Sequence, residues 1–228
     1  MADSSPQEVG KRFVKRIESL LSDYQRLLNN VDGQRRQASL ETLLAEQTLM
    51  SLGIYWEAFL HELIIAYILQ SPTTYIAEYK RRLTQNLTDK FPGAIGWTTI
   101  SPPPRLTRAE VEMLLDPQRR NFTVSDYSKL PETVNKLISA GYAPRFSLGA
   151  EDTQFLSYLI AVRNFLAHRS DGSRDRLRTV TANLMASNSN LAGTIVRFDT
   201  YIKQPIPGTS RVGEIVSRLK AIATALSQ

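Results

Sequence analysis

One long apolar segment in the first third of this 228-residue sequence limits the folds that it can adopt. Across residues 38–67, apolar side chains recur at three- and four-residue steps, and in the second half they occupy most of the helical circumference. Residues 49–69 are long enough to span a membrane as a helix, but Glu57, His61 and Glu62 lie near the centre of this stretch. Each acidic residue there would cost about 2.5–3.5 kcal/mol on insertion. We therefore expect the central helix of a bundle, and no membrane association.

Amphipathic periodicity predicts further helices on both sides of this segment. They cover residues 13–28, a segment from Ser71-Pro72 through Leu83, residues 111–115 after a capping box at 107–110, residues 131–140, residues 151–169, a segment that Ser173 could cap and that runs through Leu184, and residues 212–226. Residues 194–202 alternate imperfectly and indicate a short strand or extended arm. We predict an all-α fold: one helical-bundle domain over residues 1–228.

The stretch between the central helix and the helix at 151–169 is different in character. Pro92, Gly93, Gly96 and the prolines at 102–104 cannot continue a helix, so residues 91–106 should form an irregular connector. We interpret residues 90–148 as a partly irregular insertion or cap on the bundle.

Several classes of site are excluded by what the sequence lacks. There is no cysteine, which excludes disulfides, thiolate zinc sites and thiol redox chemistry, and suits a reducing compartment. No Walker loop, dinucleotide fingerprint, HExxH pair or serine nucleophile elbow is present, so we expect no metal and no cofactor. Residues 1–7 contain no apolar signal core, which favours a cytoplasmic location. The net charge of +6 makes a polyanion a plausible partner.

The residues that point most directly to chemistry are Arg163, Asn164 and His168, which end one predicted helix. At about 100° per residue, Asn164 and His168 share a face while Arg163 lies roughly 140° from His168, so all three can border one cleft. Histidine exchanges protons near neutral pH, and arginine offers a planar fork for a phosphate. Asn164 could orient the imidazole or hold a phosphate oxygen. The alternative is that His168 and Arg163 are a structural pair near a helix end, which caps carbonyls and binds an acidic partner.

Together with residues 56–60 of the central helix, this Arg-Asn-x3-His motif resembles the HEPN superfamily, the higher eukaryote and prokaryote nucleotide-binding domains. The resemblance covers these two helices and not residues 90–148. It implies a HEPN-like helical bundle and a metal-independent endoribonuclease, in which a ribose 2′-hydroxyl attacks the adjacent phosphate. It also implies a homodimer in which each protomer lends His168 and Arg163 to a shared cleft. A toxin or anti-phage defence role, restrained by an antitoxin or regulatory protein, follows from the resemblance alone.

Other residues can support such a site or have simpler roles. Glu57 would either reach the cleft as a supporting residue or pair locally with His61. Four arginines follow the motif and form either an RNA-backbone track or a solvated face: Arg169, Arg174, Arg176 and Arg178. Two alternative functions stay open, a non-catalytic HEPN module that binds RNA, nucleotides or proteins, and a structural dimerisation module.

Overall fold

A computed structural model describes residues 5–90, 106–116, 124, 126–186, 191, 195, 197–204 and 206–228. Over these residues the chain forms helices and no strand beyond one isolated bridge between Ile206 and Thr209, so the all-α fold class is confirmed. In chain order the helices are α1 (Pro6–Val31), α2 (Gln37–Gln70), α3 (Thr73–Lys90), α4 (Arg108–Leu115), α5 (Leu130–Asn135), α6 (Ala150–His168), α7 (Asp171–Ala186), α8 (Phe198–Lys203) and α9 (Arg211–Ser227), with 3-10 turns at Tyr127–Lys129 and Ala143–Phe146.

Helix α2 is the centre of the fold, as its sequence predicts. It runs unbroken for 34 residues and packs against α1, α4, α6, α8 and α9. Among the described helices it alone has the length and composition to cross a membrane, but 67% of its apolar window is buried within the protein. Trp56 is fully buried there, and its indole N–H donates to the Tyr127 hydroxyl at 2.8 Å. Burial against neighbouring helices therefore accounts for the apolar circumference of α2.

The predicted helix starts are partly confirmed. Thr107 and Glu110 form the expected capping box at α4. Helix α1 begins at Pro6, seven residues before the predicted stretch, because Ser5 and Glu8 form a second capping box. Ser173 does not cap α7. Instead the Ser170 hydroxyl accepts from the Ser173 N–H at 3.3 Å, and α7 begins at Asp171.

In the second half of the chain, one further prediction was wrong and another is confirmed only in part. The expected strand or arm at 194–202 contains α8, because Phe198, Tyr201 and Ile202 are all buried at helical spacing; residues 194 and 196 lie outside the described residues. The helix predicted at 131–140 ends at Asn135, where the chain turns and buries Leu137 and Ile138.

The described parts of 90–148 pack onto the bundle. Val111, Tyr127, Leu130 and Phe146 are buried and belong to the same core as α2 and α6. The interpretation of the whole segment as an insertion or cap stays a prediction, since residues 91–105 and 117–123 lie outside the described residues.

Candidate functional site

Arg163 lies where α6 packs on α2, and its guanidinium is held from two sides. Its Nη2 donates to Glu57 Oε2 at 2.9 Å, and its Nη1 donates to Asn164 Oδ1 at 2.8 Å. The side chains of Arg163 and Glu57 are only 29% and 13% exposed. Arginine carries five N–H donors, and these two hydrogen bonds use only part of that set. The structure thus joins three of the predicted residues in one network.

Gly53 makes this approach of the two helices possible. A Cβ atom at position 53 would lie 2.7 Å from the Cβ and 2.8 Å from the Cγ of Arg163, which is closer than real side chains pack. Gly53 and Glu57 are four residues apart and so share the face of α2 that meets α6. Glycine inside a helix costs roughly 0.5–1 kcal/mol relative to alanine. The stem of Arg163 occupies the space that this glycine leaves.

Glu57 is more than a local partner of its neighbours on α2. Its carboxylate reaches across to α6, and burial raises its pKa, while the adjacent Arg163 works against that shift. The supporting role considered from the sequence is therefore sterically open to Glu57. The Glu57 carboxylate is therefore protonated at a higher pH than an ordinary glutamate.

His168 is exposed and is the last residue of α6. The helix stops there because Arg169 adopts the left-handed conformation, with φ of 49°, while its N–H still donates to the Phe165 carbonyl at 2.8 Å. The left-handed region is strained for a residue with a Cβ. The Arg169 guanidinium donates to Glu46 of α2 at 2.6 Å and lies 4.9 Å from the centroid of the Phe165 ring, so the corner after His168 is anchored.

His61, the other histidine of the chain, does not join this group. It is 8% exposed, and burial lowers its pKa against the opposing charges of Glu62, Asp116 and Glu112. The last two carboxylates belong to α4 or its C-terminal end. His61 therefore lies in an α2–α4 environment.

The predicted arginine track is only partly assembled. Three of its members, Arg169, Arg174 and Arg178, line a groove of about 350 Å³. Arg197, which was not predicted from the sequence, lines the same groove. Arg176 is absent from that lining because it lies roughly 160° around α7 from both Arg174 and Arg178. Its charge instead acts on Asp126.

Each arginine of this groove has a carboxylate partner. Arg169 pairs with Glu46, and the others pair with acids close in sequence: Arg174 with Asp171 at 3.0 Å, Arg178 with Asp175 at 3.6 Å and Arg197 with Asp199 at 2.7 Å. These pairs balance the local charge. Exposed pairs of this kind contribute little stability and exchange readily with solvent. The groove is thus less basic than the arginine count indicates.

No protein-family model, curated protein or solved structure matches this chain. The likeness to HEPN domains therefore rests on the motif and on residues 56–60. Among the described residues, no group of three or more histidine, aspartate and glutamate side chains is arranged to hold a metal ion.

Proposed function

We propose that this protein is a metal-independent endoribonuclease of HEPN type that acts as a homodimer. One observation carries the proposal: an exposed imidazole, His168, ends the same helix on which Arg163 is fixed by Glu57 and Asn164. Proton transfer by an imidazole and stabilisation of phosphate charge by an immobilised guanidinium both accelerate phosphodiester cleavage by an adjacent hydroxyl.

The proposed reaction is a transesterification. One His168, neutral at the outset, accepts the proton of the ribose 2′-hydroxyl as the 2′-oxygen forms a bond to phosphorus. The bond from phosphorus to the 5′-oxygen breaks, and a protonated imidazole donates to that leaving oxygen. The products are a 2′,3′-cyclic phosphate and a 5′-hydroxyl. The Arg163 guanidinium stabilises the charge that builds on the phosphate oxygens, and its contacts to Glu57 and Asn164 keep it in place.

The need for two imidazoles supports a composite site. His61 is buried beside α4, so within one chain His168 is the histidine placed to serve. A second copy related by a two-fold axis would supply the second His168.

The biological setting belongs to the same proposal. RNA is the substrate, the cytoplasm is the location, and a toxin or anti-phage defence role with an antitoxin or regulatory protein is the expected context. These points derive from the resemblance of the motif to HEPN domains.

Cleavage of mixed RNA in excess EDTA tests the proposal. We expect the wild-type protein to produce fragments with cyclic phosphate ends and His168→Ala to leave the RNA intact, with a rate loss of about 10²-fold or more. His168 is exposed, so this variant should fold normally. Asn86→Ala, an exposed change on α3, serves as the control and should cleave like the wild type.

A second candidate function is favoured by the charge balance of the site. Arg163 is already matched by Glu57, and the arginines of the adjoining groove are matched by their own carboxylates. This arrangement suits a non-catalytic HEPN module that binds RNA, nucleotides or another protein. RNA that is bound but left intact by the wild type, in the presence or absence of EDTA, would favour this module over the ribonuclease.

A further inference from the structure

Helix α1 carries a cluster of positive charge that no carboxylate offsets among the residues that the structure describes. All three of its acidic residues are engaged: Glu8 in the N-terminal capping box, Glu18 with Lys220, and Asp23 with Arg26. Four basic residues of α1 are left without a carboxylate partner in the described part of the chain: Lys11, Arg12, Lys15 and Arg16. This is the opposite of the arginine groove beside α7, where every arginine is paired.

Three of these residues line a groove between α1 and α2. Arg12, Lys15 and Arg16 are spaced to share one helix face. Two adjoining cavities of about 590 and 390 Å³ both contact Arg12, Arg16 and Tyr55, and together they extend along α1 from Val9 to Asp23, about 21 Å at the helical rise. The carboxylates at the groove are already engaged, since Asp23 pairs with Arg26 and Glu62 with Arg108. We call this feature the α1–α2 groove.

The Arg16 side chain is held in a way that leaves its hydrogen-bonding edge free. Its guanidinium carbon lies 3.6 Å from the centroid of the Tyr55 ring. Stacking on an aromatic face fixes the plane of the guanidinium but uses none of its N–H donors. Phe13, Phe59 and Ala58 add apolar lining to the same groove. The groove therefore combines an elongated row of cations with apolar and aromatic side chains.

We infer that the α1–α2 groove binds the backbone of single-stranded RNA. The inference rests on the proposed function and names where the substrate lies. Proteins that bind single strands combine a positively charged groove, which follows the phosphates, with aromatic side chains that contact bases. A compact nucleotide would not need a groove of this length, and a membrane surface would not fit a concave one.

The groove is placed to deliver a strand to the candidate site. Tyr55 borders the groove and Glu57 contacts Arg163, and the two residues lie about 160° apart around α2. The face between them includes Ile54, which is 47% exposed, and half-buried Ala58. A strand that leaves the α1–α2 groove over this face would come to the side of α2 on which Glu57 holds Arg163.

The test is an RNA-binding titration with the full chain in the non-cleaving His168→Ala background. The probe is a fluorescein-labelled, mixed-sequence single-stranded RNA of about 12 nucleotides, followed by fluorescence anisotropy at several salt concentrations. The groove variant carries Arg12→Gln, Lys15→Gln and Arg16→Gln. Each phosphate contact contributes about 0.7 to the slope of log affinity against log salt concentration. Loss of three contacts should therefore lower the magnitude of this slope by about 2, and the affinity at 0.15 M salt should fall roughly 50-fold.

A matched control removes three positive charges from other surfaces. It combines Arg81→Gln and Arg82→Gln on α3 with Lys136→Gln, all of which pair with local carboxylates and none of which lines the groove. We expect this control to keep the salt slope of its parent and to lose less than about threefold in affinity. Circular dichroism of all proteins establishes that they are equally folded.

Three results would overturn the inference: parent-like affinity and salt slope in the groove variant, an equal loss in the matched control, or no RNA binding by the parent. The groove would be assigned to a membrane instead if the parent does not bind RNA but floats with vesicles of anionic phospholipid, and the groove variant does not float. The ribonuclease proposal is judged separately, by cleavage that depends on His168. Groove-dependent RNA binding without cleavage would support the groove and remove the ribonuclease.

Discussion

Replacing Gly53 with alanine tests how closely α2 and α6 hold Arg163. The added Cβ would lie 2.7 Å from the Cβ and 2.8 Å from the Cγ of Arg163. The backbone fixes the Cβ of Arg163, so α6 has to shift away from α2, with or without a change in the Arg163 rotamer. This shift lengthens or breaks the 2.9 Å contact from Arg163 to Glu57.

The expected change in the free energy of unfolding on Gly53→Ala has three contributions. Alanine in place of glycine inside a helix would by itself stabilise the protein by about 1 kcal/mol. Overpacking against a fixed neighbour costs about 1–3 kcal/mol. Loss of the hydrogen bond to the mostly buried Glu57 carboxylate costs about 1 kcal/mol more. We expect a net loss of about 1–3 kcal/mol in the free energy of unfolding.

Urea denaturation followed by far-ultraviolet circular dichroism measures this change. Gly172→Ala is the matched control, because it lies in α7 with no other atom within 4 Å of the added Cβ. We expect this control to leave stability unchanged or to raise it by up to about 1 kcal/mol. A Gly53→Ala protein at least as stable as the wild type would refute the reasoning that Gly53 makes room for Arg163.

Three further predictions concern the same region. Burial raises the pKa of Glu57 above its ordinary 4.5, so the folded protein holds the carboxyl proton of Glu57 more tightly than the unfolded chain does. The stability that this proton contributes is lost as the pH rises from 4.5 through the raised pKa. Glu57→Gln should remove this dependence of the free energy of unfolding on pH, measured by urea titration, and an unchanged dependence would contradict the prediction. Tyr127→Phe should lower the free energy of unfolding by about 1–3 kcal/mol, because the buried indole N–H of Trp56 loses its acceptor; a loss below about 0.5 kcal/mol would show that the indole finds another partner. Arg169→Gly should be about 1 kcal/mol more stable than Arg169→Ala in thermal or urea unfolding. Both variants lose the ion pair with Glu46, but only the alanine variant retains the strain of a positive φ at residue 169. Equal stability of the two variants would contradict this prediction.

The helices that bury a periodic apolar face could be predicted from the sequence. Helices α2 and α6 follow directly from side chains at three- and four-residue steps. Helix α8 was missed because its buried residues were interpreted as alternating, although Phe198, Tyr201 and Ile202 are spaced as on a helix. The start of α1 at Pro6 could also have been predicted from the sequence, because Ser5 and Glu8 have capping-box spacing.

The motif residues could be named from the sequence, but their contacts could not. Arg163 and Glu57 are 106 positions apart, and no periodicity reveals a pair that bridges two helices. Gly53 was the available signal, because glycine inside a helix indicates close packing or function.

A count of basic residues along the sequence predicts the basic surfaces of the fold poorly. It emphasised the arginines after the motif, although Asp171 and Asp175 lie three residues before Arg174 and Arg178 and neutralise them. It passed over the basic face of α1, where Glu18 is taken by Lys220 from α9. Which cations stay unpaired is decided by contacts between helices, and these are visible only in the folded chain.

Mixing wild-type protein with the His168→Ala variant tests the composite ribonuclease site most directly. RNA cleavage in EDTA is measured at constant total protein, after subunit exchange, as the wild-type fraction is varied. If each active unit needs His168 from both protomers, the rate falls as the square of that fraction, to about one quarter in an equal mixture. A linear fall, to about one half, would contradict a shared site, and no cleavage by the wild type alone would contradict the ribonuclease.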